Sequence, residues 1–434
     1  MTLKTEYDIY KSGAAQTIRF RKQNRNLSRY FADLTDKEPL TEAVLDSLIT
    51  EAGNKSGIKI TFGKIKIGKE LELTTEESDV SALESFAGAF LEALSGFYEE
   101  NEVHITRMFG SFIYLKRENG ILRAVKATPL PIRYCPLMKQ LLLEVGGDTA
   151  GKFLSAIEEG DVASQTELMR GLIDEVVIGG GYFDTARPLN SCEANVLFGA
   201  SETMSTAFRS GLIDAAVIVS NNLGTIITTD DSNTQGAVKR MTGLFLTSPS
   251  AHLRDTAYKS GIIPVFPHTA CIDQLEGVRL ALSLGYKKIA VSIAWMDNIQ
   301  MNGISELERD GVTIYKFGLC STGINENAAE AMEKHADLVW SCASKVVRER
   351  IEPNAIAQVG VKIPVHIMTE KGWLLVKNHL ELTEKDRTGK SVSYSGVICR
   401  KGKKKPVVLN DENSFRIIAS ENLRDCLDCP HPCV

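Results

Sequence analysis

Residues 195–250 read NVLFGASETMSTAFRSGLIDAAVIVSNNLGTIITTDDSNTQGAVKRMTGLFLTSPS. A helical pattern ends at Gly211. An apolar run, AAVIVS (215–220), follows, then the polar turn SNNLGT and a second apolar run, IITT. A strand apolar at every position is covered on both faces. In open α/β sheets ligands bind beyond the carboxyl ends of the strands. Asn221, Asn222, Gly224 and Thr225 occupy that place, and Gln235 lies in the Gln-Gly segment that closes the stretch. These five are candidate substrate-binding residues.

The pattern continues downstream. Apolar cores at IIPVF (262–266), KIAVSIA (288–294), VTIYKFG (312–318), DLVWSCAS (337–344) and VHIMT (365–369) alternate with helical patterns such as GVRLALSLG and NAAEAMEKHA. Apolar strands joined by helical crossovers predict an α/β fold, a mainly parallel, doubly covered sheet. The strand-end rule adds His268, Ser344 and Lys345 as candidates. His268 follows Pro267 and could act as general acid or base. Lys345 could balance a ligand's charge or face solvent as the first lysine of a surface helix, and Ser344 is a further substrate contact.

Upstream, LTEAVLDSLITEAG and SALESFAGAFLEALSGFYEE have helical spacing, with Gly53 as a stop and Asp79 or Ser81 as a cap. IKITFGKIKIG alternates like a strand, and Asn119-Gly120 marks a hairpin turn. These predict a smaller α+β N-terminal domain over 1–128, a core over 129–385, and a β-hairpin with a cysteine-rich tail over 386–434. Gly179–Gly181, read as following a strand, are either an anion cradle or a tight turn. The basic run Arg19, Arg21, Lys22, Arg25 and Arg29 is a solvated segment, or a clamp for an anionic ligand or acidic partner.

The chain has 434 residues, 43% hydrophobic and 24% charged, with net charge -5. The acidic balance argues against general nucleic-acid binding. No apolar run approaches a membrane span, and residues 1–16 lack a signal-peptide core, so a cytoplasmic location is expected. Nine cysteines without a secretion signal argue against a disulfide framework.

Three of those cysteines form Cys426-x-x-Cys429-x-x-x-Cys433. Thiolates at such spacing can wrap one metal centre: a [4Fe-4S] cluster is expected, with zinc as the alternative. A loose tail of reduced thiols is the other possibility. The fourth ligand could be Cys135, His431 (for zinc) or a substrate. Cys192 and Cys342 also sit in loops or at strand ends, whereas Cys271, Cys320 and Cys399 read as core residues.

Several blocks resemble one family. They are the run from Ser201 to Pro249, YCP (134–136), IDQLEGVRLALSLGYKKIAVSIA (272–294), WSCASKVVRERI (340–351) and QVGVKIPVHIMTEKG (358–372). Their order and wording resemble the methanogenesis marker protein 8 family over about residues 130–380. The resemblance implies an anaerobic, oxygen-sensitive setting beside the methane-forming enzymes, without implying a reaction. Cys135, Cys192 and Cys342 fall at family cysteines. Family members tend to carry Cys-Asp-Gly-Ala-Gly-Thr where this chain has Ser220-Asn221-Asn222-Leu223-Gly224-Thr225, so one thiol and one carboxylate are missing here.

The expected function is an iron–sulfur-dependent enzyme or cofactor-maturation factor of anaerobic metabolism. It would act on a small anionic substrate, with a redox donor or protein partner. The alternative is a non-catalytic small-molecule-binding or assembly protein.

Overall fold

The computed structural model describes residues 5–23, 34, 40–68, 70–131, 138, 142–143, 147–193, 198–239, 243–297, 299–359 and 364–385. It also describes the strands at 397–401, 407–408 and 416–420. The N-terminal unit is an antiparallel sheet of β1 (Tyr7–Ser12), β2 (Ala15–Phe20), β3 (Lys64–Ile67) and β4 (Leu71–Thr75), in the order β1-β2-β4-β3. It packs against the helices Glu42–Ser56 and Val80–Glu100. The second helix starts where Asp79 accepts from the N–H groups of Ser81 and Ala82, a cap worth about 1 kcal/mol. Its buried face, Leu83, Phe86, Ala87, Phe90, Leu94 and Tyr98, recurs at helical spacing and meets Phe20 and Leu73. The first helix runs past the expected stop at Gly53 and ends at Gly57, whose φ is +70°.

Strands β5 (Val103–Met108), β6 (Ser111–Glu118) and β7 (Ile121–Ala127), expected with the N-terminal unit, belong to a second antiparallel sheet. Its β7 side packs on the helices Gly147–Glu159 and Val162–Leu172. The run DEVVI, read as a strand, is a π-helical turn, Ile173–Ile178, that continues the second of these helices. Gly179–Gly181 therefore end a helix, where the backbone dipole disfavours an anion. Gly181, at φ +76°, makes the tight turn.

The largest sheet has eleven strands. In chain order these are β8 (Ala215–Ser220) and β9 (Gly224–Thr228), then β11 (Ile263–Pro264), β12 (Lys288–Ala294), β13 (Thr313–Leu319), β14 (Leu338–Trp340), β15 (Ala357–Val359), β16 (Val365–Ile367), β17 (Val397–Lys401), β18 (Val407–Val408) and β19 (Arg416–Ser420). The omitted β10 (Leu246–Thr247) leaves this order and pairs with β5 of the second sheet. The expected mainly parallel sheet is instead mixed. Strands β8, β12, β13 and β14 run parallel, in sequence order, while β9 on one side and β16 on the other run against them, and β11 and β15 beyond these pair antiparallel with β9 and β16. The cause is connection length: β8 returns through the short turn at 221–223, and no crossover helix separates β15 from β16. Of the residues read as a hairpin at 390–410, the described strands β17 and β18 are not neighbours; β19 lies between them. The Lys-rich turn falls outside the described residues.

Both faces of the parallel strands are covered. Val217, Ile289, Val291, Ile314 and Val339 point into a cluster with the helices Gln274–Ser283, Ile299–Ser305 and Glu326–His335. Ala216, Ile218, Ala290 and Phe317 point the other way, toward the helices Ala200–Arg209 and Glu370–Lys385. Among the described residues no helix is long and apolar enough to cross a membrane.

Candidate functional site

The second sheet sits on the carboxyl ends of the parallel strands and meets two of their loops. The first is the turn after β8. Asn222 takes a left-handed conformation, φ +62°, which asparagine tolerates. Its N–H donates to Thr247 Oγ1 (2.8 Å), and its side-chain amide donates to Glu102 Oε1 (3.2 Å) and to the Ser248 carbonyl (3.3 Å). His104 lies between these partners, with Nε2 2.8 Å from Glu102 Oε1 and Nδ1 2.8 Å from Thr247 Oγ1.

One proton arrangement satisfies the whole chain: His104 Nε2–H donates to the carboxylate, and the Thr247 hydroxyl donates to Nδ1. Burial lowers the His104 pKa and keeps the ring neutral. Burial also opposes ionisation of Glu102, but hydrogen bonds from His104 and Arg117 outweigh it and hold that carboxyl at about 2.

The signature turn is therefore fastened to protein rather than open to ligand. Asn221 donates from its amide to the Tyr182 carbonyl (2.6 Å), and Arg187 donates to the Asn221 carbonyl. Thr225 Oγ1 accepts from the Asp273 N–H (2.8 Å). Gly224 has φ +65°, and a Cβ there would run into the carbonyls of Ala270 and Cys271. Gln235 donates to the Glu193 carbonyl (2.9 Å) and to Glu202 Oε1 (3.3 Å), while its own buried Oε1 has no partner among the described residues.

The second loop pair follows β13 and β14. Cys320 comes directly after β13 and Cys342 two residues after β14. Both have left-handed backbones, φ +56° and +47°. Such a conformation costs a non-glycine residue about 1 kcal/mol or more and clusters at functional sites. Arg107, on β5, reaches into this corner. Its guanidinium donates to the carbonyls of Cys320 (2.6 Å), Thr322 and Gly110 (3.4 Å) and lies over the Phe112 ring. Only 9% of Arg107 is exposed, and no carboxylate among the described residues pairs with it. Burial lowers its pKa, and the opposing charges come from Cys320 and Cys342.

The remaining sequence candidates lie elsewhere. His268 Nδ1 is 2.6 Å from Glu6 Oε2, and Nε2 is 3.1 Å from Glu92 Oε1. It joins the N-terminal unit to the core. Lys345 is exposed and faces Glu349 at 3.6 Å. Ser344 Oγ accepts from the Val347 N–H (3.2 Å) and starts a second π-helical turn, Val347–Ile351. Arg19 and Arg21, from the basic run, face Glu70 and Glu72 or Asp273. Cys192 is exposed, and burial pushes the Cys271 thiol up to about 12. Cys135, Cys426, Cys429 and Cys433 lie outside the described residues, as do Arg25, Arg29 and His431. Among the described residues no three His, Cys, Asp or Glu side chains gather closely enough to hold a metal.

The sequence reading passed over Arg107 and placed Cys320 in the core. Cys342 had been placed at a strand end, and the same signal was available for Cys320, which also follows an apolar strand in the slot beyond its carboxyl end.

The family profile described as "Uncharacterized protein conserved in archaea (DUF2099)" matches residues 104–381. An uncharacterized protein of Methanocaldococcus jannaschii, MJ0054, is 34% identical over 255 residues, which is 59% of this chain and 83% of the relative. The profile match begins in β5 and spans Arg107, Cys320 and Cys342; β1–β4 lie outside it.

Proposed function

For a chain that belongs to the DUF2099 family of proteins conserved in archaea, we propose a place within it close to methanogenesis marker protein 8. The proposed activity is that of an iron–sulfur-dependent enzyme or cofactor-maturation factor of anaerobic metabolism, acting on a small anionic substrate. A cytoplasmic setting and a protein redox donor go with this reading.

The observation that carries it is Arg107. A buried guanidinium that, among the described residues, bonds to neutral carbonyls alone is costly unless an anion shares the site. The groups beside it that can become anionic are the thiols of Cys320 and Cys342. A neighbouring cation favours the thiolate, which is the form that binds metal. A thiolate-held cluster carries net negative charge and suits the same corner.

Two thiols are fewer than the three or four that a cluster takes. Cys135, at YCP, and the Cys426–Cys429–Cys433 run are the proposed sources of the rest. Once bound, a cluster supplies electron transfer or Lewis acidity. The chain's own part is to hold two thiols at adjacent strand ends and to balance their charge with Arg107.

Anaerobic purification followed by iron, acid-labile sulfide and zinc analysis tests this. Iron and sulfide in similar amounts, lost in the Cys320→Ser/Cys342→Ser variant, support it. A colourless, iron-free protein, or one holding zinc alone, refutes the iron–sulfur assignment.

A further inference from the structure

A second group of buried polar side chains lies on one face of the large sheet, and no part of the thiol site uses it. The register sets His366 of β16 opposite Val339 of β14 on one side and Gln358 of β15 on the other. Cross-strand partners share a face, so the three side chains form a row. Val339 packs with Val347 and Ile351, so the π-helical turn Val347–Ile351 roofs that face. The opposite face at the same strands is apolar: Ala357, Val359, Val365 and Ile367 pack against Leu375 and Val376.

Alternation has thus placed a histidine and a glutamine inside, where apolar residues would serve a purely structural sheet. His366 is fully buried, and neither of its ring nitrogens has a hydrogen-bond partner among the described residues. Ser341, two residues beyond Val339, is also fully buried, and its Oγ has no partner among the described residues. Arg348 is in the roofing turn. Burial and then the Arg348 charge hold the imidazole neutral, with its pKa down at about 3.

Buried polar groups in native proteins are nearly always satisfied, and exceptions call for a resident water, ion or ligand. The charge of Arg348 reaches His366 and favours an anionic over a cationic occupant. A neutral imidazole N–H and a serine hydroxyl can both donate to an anionic oxygen, while the buried Oε1 of Gln358 can accept from a hydroxyl beside it. We propose that His366, Ser341, Gln358 and Arg348 line a binding site for a small oxyanion, the carboxylate or phosphate group of a metabolite, beneath the Val347–Ile351 turn. Ser341 is followed directly by Cys342, so the bound oxyanion sits beside the thiol corner. This deepens the small-anion part of the function proposed above and rests on that reading only for the anion's role as substrate.

The test uses the full chain, prepared both with iron and after chelation. Inorganic phosphate and succinate are titrated against thermal stability and by calorimetry. In the wild type at least one of them raises the melting temperature saturably, with or without iron. His366→Leu removes the two unpartnered nitrogens. Without oxyanion it melts at or above the wild-type temperature, and its oxyanion affinity falls at least tenfold. Arg348→Met weakens binding at least tenfold as well, without the gain in the unliganded protein, and carries the test if His366→Leu does not fold. An absent response in the wild type, or an equal response in wild type and variants, overturns the site and leaves a resident water as the occupant. Oxyanion binding to a chain that never holds iron would uphold this site while refuting the iron–sulfur reading.

Discussion

His268 gives the most quantitative handle on how the N-terminal unit is held. Both ring nitrogens face carboxylates, Glu6 at 2.6 Å and Glu92 at 3.1 Å, so the ring is doubly protonated when the contact is made. Glu6 also accepts from the N–H of Thr269 (2.9 Å) and from its hydroxyl (2.8 Å), which fixes the carboxylate in place. Arg254 lies 3.6 Å from Glu92 on the far side. Burial works against the charged imidazole, but the hydrogen bonds to Glu6 and Glu92 outweigh it and raise the pKa to about 9. A pKa raised on folding contributes stability that is fully present below the unfolded value of about 6.5 and is lost as pH climbs through 9. At about 1.4 kcal/mol per decade, the rise amounts to roughly 3 kcal/mol. Urea unfolding between pH 6 and pH 10 measures it. Wild type should lose about 3 kcal/mol more across that range than His268→Gln. Parallel pH profiles for the two proteins, or a difference that develops wholly below pH 6.5 or wholly above pH 9, would refute the assignment of charge to His268. Glu92, held down at about 2 mainly by the hydrogen bond from His268, loses its contribution only at the acid end, as pH falls toward that value.

Two further outcomes follow from the strand ends. Gly224→Ala places a Cβ against the backbone of Ala270 and Cys271 and forces a positive φ on alanine. A loss of more than about 3 kcal/mol is expected, read as a fall in urea midpoint; a change within about 0.5 kcal/mol would contradict the tight packing of that turn. Arg107→Met removes the cation beside Cys320 and Cys342. In metal-free protein their iodoacetamide alkylation at pH 7, followed by peptide mass spectrometry, should slow several-fold relative to wild type, because the thiolate fraction falls. Unchanged rates would show that Arg107 does not poise the thiols.

Much of the frame could be read from apolar runs alone. KIAVSIA and VTIYKFG are apolar almost throughout, and they form β12 and β13 side by side at the sheet centre. The sequence did not disclose direction. VHIMT is as apolar as its neighbours, yet β16 runs antiparallel to β14, because a short connection and not strand composition sets orientation. DEVVIGGGYF misled for a related reason: apolar residues before glycines suit a strand end or a helix end equally, and the preceding helix simply continues. The turn after β8 was correctly placed at a strand end, but its burial depends on Glu102, 120 positions away, and on Thr247 of β10 closing over it. Arg107 was illegible on the same ground. An arginine near the end of a strand in a small sheet gives no local sign that its guanidinium will end among strand-end carbonyls from the distant loop at 320–322.

Iron and acid-labile sulfide in anaerobically purified protein, measured beside the Cys320→Ser/Cys342→Ser variant, test the thiol corner most directly. If those cysteines hold a cluster with thiols from elsewhere in the chain, wild type carries both elements in near-equal amounts and the variant loses most of both. Wild type free of iron, or a variant that retains all of it, would contradict the assignment.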